Sequence, residues 1–214
     1  MSENRKVIIV GAGGHARVIA GLLQYRADVE VIGVADRGPE LFGESIGTTR
    51  ISATFDQLSE LHTLGVSMAA LAIGDNTERA EMFAHLRRLG FDILSLIHPT
   101  AILEQDVQLG VGVVICAGAI LCTQVRLGDN VLINTGSIID HEGRIDAHAH
   151  IAPGSRLAGR VHVGERTFVG IGTTVKDHIN IGARSIIGSG SVVISDIPHD
   201  VVAYGVPAKV QRHV

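Results

Sequence analysis

Tryptophan is absent from this 214-residue sequence, and aromatic side chains make up only 3% of it. Large aromatics dominate most globular cores, so a chain this poor in them and yet 46% hydrophobic has to fill its interior with aliphatic side chains. Cysteine is scarce as well. Cys116 and Cys122 are the two present; they exclude a disulfide framework and read as small buried thiols rather than a redox pair or metal site. No uninterrupted apolar run reaches the roughly eighteen residues that a membrane-spanning helix needs. The opening from Met1 to Lys6 is polar and the short apolar run behind it leads into a glycine turn. No signal peptide is therefore expected, with the cytoplasm as default location and no membrane partner. A net charge of −4 without a basic run argues against nucleic acid as a partner.

What is present in quantity is a period of six. From Ile97, each sixth residue through Leu103, Leu109, Ile115, Leu121, Leu127, Ile133, Ile139 and Ile145 to Val193 is Ile, Leu or Val. A helix repeats at 3.6 and a strand at 2, so neither holds a six-residue register over this length. Such a repeat means a solenoid, whose units bury their apolar faces by stacking on one another. Small or short residues recur four positions after each anchor, as at Ala101, Val107, Ala119, Ser137 and Ser155. Glycine follows the anchor at Gly110, Gly128, Gly164 and Gly182, at multiples of eighteen. Three hexads thus make one triangular coil of short strands and tight corners.

The first ninety-six residues follow a different pattern. Lys6–Val10 reads as a buried strand, Gly11-Ala12-Gly13-Gly14-His15-Ala16 as a tight turn, and 16–25 as a helix with Val18, Ile19, Leu22 and Leu23 on one face. A second strand from Val29 ends at Asp36. A strand, glycine turn and helix offer backbone N–H groups and a helix N-terminus to phosphate. Gly11, Gly13 and Ala16 fit the dinucleotide fingerprint, with Asp36 near its acidic position, so NAD competes as ligand. Length argues against it. After Asp36 the pattern predicts one more strand at Met68–Ile73, a turn at Gly74-Asp75-Asn76, a helix over Thr77–Leu89 and a strand over Phe91–Leu96. That is about half of a dinucleotide domain and room for one nucleotide. The plain alternative is a tight turn with His15 and Arg37 as surface residues.

The anchor–glycine pairs and the closing Tyr204-Gly205-Val206-Pro207-Ala208-Lys209 resemble those of the hexapeptide-repeat acyltransferases. An α/β domain, then Leu96-Ile97-His98-Pro99, then hexads is similar to the order of parts in the nucleotide-sugar N-acetyltransferase and sialic acid O-acetyltransferase family. The resemblance implies an α/β nucleotide-binding domain over 1–96 followed by a left-handed parallel β-helix over 97–214, assembled as a homotrimer with active sites at subunit boundaries. The left hand rests on the resemblance alone, because the general crossover preference is right-handed. The activity implied is acetyl-CoA-dependent N-acetylation of the 4-amino group of a nucleotide-linked dideoxy sugar, without a metal. GDP-perosamine is favoured, with a UDP-4-amino sugar or a sialic acid hydroxyl as alternatives. Nucleotide-sugar contacts carried over are Gly13, Gly14, His15, Asp36, Arg37 and Gly74. Many relatives have a second acid where this chain has Arg37, which is open to pairing with a different nucleobase or with phosphate.

Acetyl transfer to an amine needs an acceptor for the amine's proton, and a histidine near its ordinary pKa suits that task at neutral pH. Of eleven histidines, His141 stands between Asp140 and Glu142, either of which can orient an imidazole; a solvated turn is the plain reading. Residues 134–142 resemble the family's catalytic turn, which implies His141 as base and Glu142 as the acid that raises its basicity. The resemblance also implies acetyl-CoA contacts at His150, near the thioester, and at Ile171, Gly188 and Ser189 along the coils. Those glycine-rich steps are equally good β-helix corners. Gly159 is a further candidate; His148 and His162 read as surface residues, and His178 as a turn or a contact for the CoA phosphates. Two other classes compete. A zinc lyase on the same scaffold could use His141, His148 and His150, but has no need of the front domain, the closing motif or the acids beside His141. A non-catalytic nucleotide-binding trimer would have no use for His141.

Overall fold

The computed structural model describes residues 5–214; the polar opening at 1–4, part of the reading of the chain's start, lies outside them. The chain divides into two compact units, one ending at Leu96 and one running Ile97–Val214.

In the first unit the glycine turn joins β1 (Arg5–Val10) to α1 (Gly14–Leu23), and β2 (Val29–Asp36) follows. β1 lies parallel between β2 and β5 (Met68–Leu71). α1 buries Ala16, Ile19, Leu22 and Leu23, the stripe expected of an amphipathic helix. α3 (Asn76–Leu89) buries Phe83 and Leu86 in a core shared with Ile8, Val10, Leu71 and Phe91. Two expectations are corrected. Between Asp36 and β5 the sequence pattern offered no element, yet the structure has a hairpin of β3 (Ser45–Ile46) with β4 (Thr49–Thr54) and a short helix α2 (Leu58–Thr63). β4 buries only Ile51 and Ala53, and α2 only Leu58, too few apolar residues to register as a period. The expected strand over Phe91–Leu96 is instead two short ones, β6 (Asp92–Ile93) and Leu96–Ile97. The sheet runs β3-β4-β2-β1-β5-β6. Its order reverses between β1 and β5, and ligands of open α/β sheets bind outside the strand ends at such a point.

The second unit is a parallel β-helix of two-residue strands. Side one carries Val114–Ile115, Leu132–Ile133, His150–Ile151, Phe168–Val169 and Ile186–Ile187; side two includes Ile120–Leu121, Ile138–Ile139 and Arg156–Leu157; side three includes Arg126–Leu127, Arg144–Ile145 and His162–Val163. As far as Val193, successive strands on a side pair in register at a spacing of eighteen residues, as Ile133 with Ile151. From Ile115 to Val193 no anchor is more than 4% exposed, whereas Ile97 is 42% exposed and Leu103 and Leu109 are half-buried. The anchors are thus core where coils stack on both sides, and less so in the first coil. The position four after each anchor also points inward, and its hydroxyls are satisfied: Ser137 Oγ donates to the Ala152 carbonyl and Ser155 Oγ to that of Gly170, both at 2.9 Å.

The corners follow a rule that the sequence did not disclose. Every sixth residue from Asp106 to Gly190 has a left-handed backbone near φ +60°, including Gln124, Asn130, Glu142, His148, Arg160 and His178. One corner column is glycine throughout, at Gly118, Gly136, Gly154, Gly172 and Gly190. The chain ends with Val201–Gly205, parallel to Ile186–Ile187, turning back into Ala208–His213.

Candidate active site

In the first unit, Gly13, Gly14, His15, Asp36, Arg37 and Gly74 all line one cavity of about 310 Å³ at the switch point, together with Phe55 and Glu78. Asp36 holds the glycine turn by accepting the Ala12 N–H, and accepts the Arg37 N–H at 2.6 Å. A Cβ built on Gly13 or Gly14 meets nothing within 4 Å, so the fold itself does not require glycine there, and the bare backbone stays open to a ligand. Gly13 gives α1 no side-chain cap and its first turn holds no acid. By contrast, Asp75 caps α3 by accepting from the Thr77 and Glu78 N–H groups. The free end of α1 is therefore the one available to an anion. Arg37 Nη2 donates to Glu78 Oε1 at 2.8 Å with both side chains exposed.

Arg79, which sequence reasoning missed, is 2% exposed and bonds to the turn that lines this cavity. It donates to the Gly74 carbonyl at 3.2 Å and to Asn76 Oδ1 at 2.8 Å, so it fixes the turn after β5. An arginine in a helix otherwise reads as a solvated charge, so nothing in the sequence marks it. Burial, assisted by Arg79, pushes the His15 pKa down to about 4 from 6.5. Between these values an unfolded chain binds a proton that the folded chain excludes, so stability falls as the pH drops from about 6.5 towards 4. The loss is up to about 3 kcal/mol. His15→Gln is expected to flatten that part of the stability–pH curve; a slope equal to wild type in urea titrations would show that His15 is not its source.

In the second unit, His141 and Glu142 occupy a corner between sides two and three. Glu142 Oε2 lies 3.1 Å from His141 Nδ1, whereas Asp140 accepts the main-chain N–H of His141 at 2.7 Å. Of the two flanking acids, Glu142 faces the ring. The His141 bond and the Arg160 guanidinium together lower the Glu142 pKa, so the carboxylate stays charged. Gly159 lies under the ring. Arg160, also missed, donates from Nε to Glu142 Oε2 at 2.8 Å. His178 takes the next position in the same column, beside Asp177 at 3.8 Å.

The other candidates lie elsewhere on the prism. His150 is on the outside of side one, beside Asn134 at 3.2 Å and edge-on to Phe168. Ile171, Gly188 and Ser189 flank the glycine corner that bounds that side, with Ile171 56% exposed. One chain therefore groups His150 with these residues and leaves His141 at a different corner. His148 and His162, read as surface residues, are half-buried and partnered, with Asn130 at 2.9 Å and Asp146 at 2.7 Å. His141, His148 and His150 do not come together within the chain. Cys116 and Cys122 are both free; burial pushes the Cys116 thiol up to about 11, which leaves it protonated and inert. Among the described residues no helix is long and apolar enough to cross a membrane.

Comparison with known proteins agrees with this architecture. Residues 6–86 match the PglD N-terminal domain family. Over 114 residues the chain is 37% identical to UDP-N-acetylbacillosamine N-acetyltransferase of Bacillus subtilis (strain 168), a match covering 53% of this chain and 52% of that protein. The match thus spans about half the length of that curated relative. A histidine-to-asparagine variant of perosamine N-acetyltransferase from Caulobacter crescentus, solved with CoA and GDP-perosamine, superimposes with a TM-score of 0.92 at 37% identity, covering 96% of each chain. The acetyltransferase domain of PglB from Neisseria gonorrhoeae FA1090, solved with acetyl coenzyme A, has a TM-score of 0.90 at 31% identity, covering 97% of this chain and 100% of that one. The chain belongs to the hexapeptide-repeat nucleotide-sugar N-acetyltransferase and sialic acid O-acetyltransferase family, whose fold is an α/β domain followed by a left-handed parallel β-helix, and by that membership it is an acetyltransferase.

Proposed function

We propose that this protein transfers the acetyl group of acetyl-CoA to the 4-amino group of a nucleotide-linked dideoxy amino sugar, with GDP-perosamine as the favoured acceptor. The observation that carries the reading is the dyad of His141 and Glu142, with Nδ1 facing the carboxylate and Nε2 left to accept a proton. Residues 1–96 serve as the nucleotide-sugar domain and 97–214 as the catalytic one. The cavity at the glycine turn suits a nucleoside diphosphate: α1 offers its free N–H groups to phosphate, and the neutral His15 can bond without adding charge. His141 takes the proton of the attacking amine as the new C–N bond forms, and the imidazolium returns it to the departing thiolate, so the products are an amide and CoA with a thiol. Glu142 holds the tautomer and steadies the imidazolium. His150, Ile171, Gly188 and Ser189 are assigned to the acetyl-CoA path.

A homotrimer completes the site in this reading. Side one turns Phe168 and Ile186 outward beside His150, and side two Ile120 and Ile138 beside Arg156, while side three turns out Arg126, Arg144, His162 and Asn180, so sides one and two are the more apolar. The apolar sides suit contact with neighbouring subunits, which would set one subunit's His141 near another's cofactor residues. A cytoplasmic location accords with an acetyl-CoA donor and two unlinked cysteines.

The test is thiol release from acetyl-CoA with GDP-perosamine and a UDP-4-amino sugar offered separately. Fast release with the GDP sugar is expected. Release with the UDP sugar alone would overturn the acceptor and keep the chemistry; release with neither would overturn both.

A further inference from the structure

The catalytic corner is held from the coil that follows it. Arg160 stands eighteen residues after Glu142 in the same column, and both have left-handed backbones, φ 60° and 58°. The Arg160 N–H donates to the His141 carbonyl at 2.9 Å. Its Nε donates at 2.8 Å to Glu142 Oε2, the same oxygen that faces His141 Nδ1. Beside it, Gly159 leaves room for the ring: a Cβ there would come within 2.4 Å of His141 Nε2. We propose that Arg160 is a positioning residue for acetyl transfer: its guanidinium holds the Glu142 carboxylate against Nδ1 and, as a fixed positive charge, limits how readily His141 becomes imidazolium. The catalytic half of this inference rests on His141 being the base.

The other charged and titratable groups around the corner have other positions or partners. Asp140 accepts from the His141 backbone and interacts with Cys122; Glu104, from an earlier coil, accepts the Thr123 N–H at 2.9 Å. On the later side stand Lys176, Asp177 and His178, with His178 beside Asp177. Among the described residues, the ion pairs that reach Glu142 come from His141 and Arg160. An arginine stays charged across the working pH range. Removing it leaves Glu142 to act on His141 alone, which favours the imidazolium and moves the acidic limb of the rate profile upward. The pair is exposed, so the shift is small.

The experiment is an NMR titration of the His141 ring in wild type, Arg160→Ala and Arg160→Lys, with its resonance identified by its loss in His141→Asn. Steady-state kinetics on the same proteins accompany it. Arg160→Ala is expected to raise the His141 pKa and to lower kcat several-fold with both KM values unchanged. Arg160→Lys should return the pKa towards wild type but recover only part of kcat, because an ammonium lacks the planar fork that fixes a carboxylate. An unmoved His141 pKa in Arg160→Ala, or a raised KM for acetyl-CoA in its place, would overturn the inference. Full activity of His141→Asn would instead overturn the base itself, while the titration would still report on Arg160.

Discussion

Replacing His141 with alanine is expected to lower kcat/KM by about 10²–10⁴-fold, the usual contribution of a positioned general base. Glu142 Oε2 and His141 Nδ1 are 3.1 Å apart, so a proton on Nδ1 is held there and Nε2 keeps its lone pair. The side chain is about half exposed, which leaves the ring open to a substrate amine. Folding should survive, because the core positions of this coil are Ile139 and Ile145, not the corner residue. Nucleotide affinity should survive too, since the cavity at the glycine turn is built wholly from residues before Glu81. Calorimetry with GDP and a thermal melt, run beside the kinetics, separate the outcomes. A variant that keeps wild-type kcat/KM would exclude His141 as base; one that loses GDP affinity in parallel would point to damage beyond the site.

Gly128→Ala is expected to destabilise the β-helix by about 3 kcal/mol or more, although it adds a single methyl group. The new Cβ would lie 2.6 Å from the Ala147 nitrogen and 3.0 Å from its Cα, both backbone atoms of the next coil. A side chain can rotate away from such a contact; a coil bonded in register above and below cannot, because Gly128 N–H already donates to the Ile145 carbonyl at 2.8 Å. Gly136→Ala is the control. It sits in the left-handed region at φ +65°, but nothing lies within 4 Å of its Cβ, so its cost is that of the backbone conformation alone, about 1 kcal/mol. Chemical denaturation followed by circular dichroism ranks the two by midpoint, which remains meaningful where a repeat array departs from two-state behaviour. Equal midpoints would mean that stacking of Gly128 on Ala147 does not limit the coil.

The candidate site was legible in sequence only where its chemistry is local along the chain. His141 and Glu142 are adjacent and the glycine turn is contiguous, so both were visible. Asp140 and Glu142 flank the histidine symmetrically in sequence, and only the left-handed corner at Glu142 turns that carboxylate onto Nδ1. Arg160 and Gly159 reach His141 because eighteen residues make one coil, and Arg79 reaches Gly74 because side chains in the first turn of a helix lean back towards its N-terminus. Neither proximity leaves a mark in composition. The hairpin β3–β4 and helix α2 escaped for a related reason: they bury one or two side chains each, so their patterns are too weak to stand out.

By itself the sequence determined the repeat, since a six-residue period of Ile, Leu and Val is satisfied by a stacked prism and by neither a helix nor a plain strand. It also determined which turn could receive phosphate and which histidine has an acid beside it. The tertiary structure decided the rest. It set left-handed corners at polar residues such as Gln124, Arg160 and Arg184, whose types give no hint of that conformation. It placed His141 at one corner and His150 on another side, so that a single chain does not join them. Stacking brings residues eighteen apart into contact, and only the folded prism gives that spacing a direction.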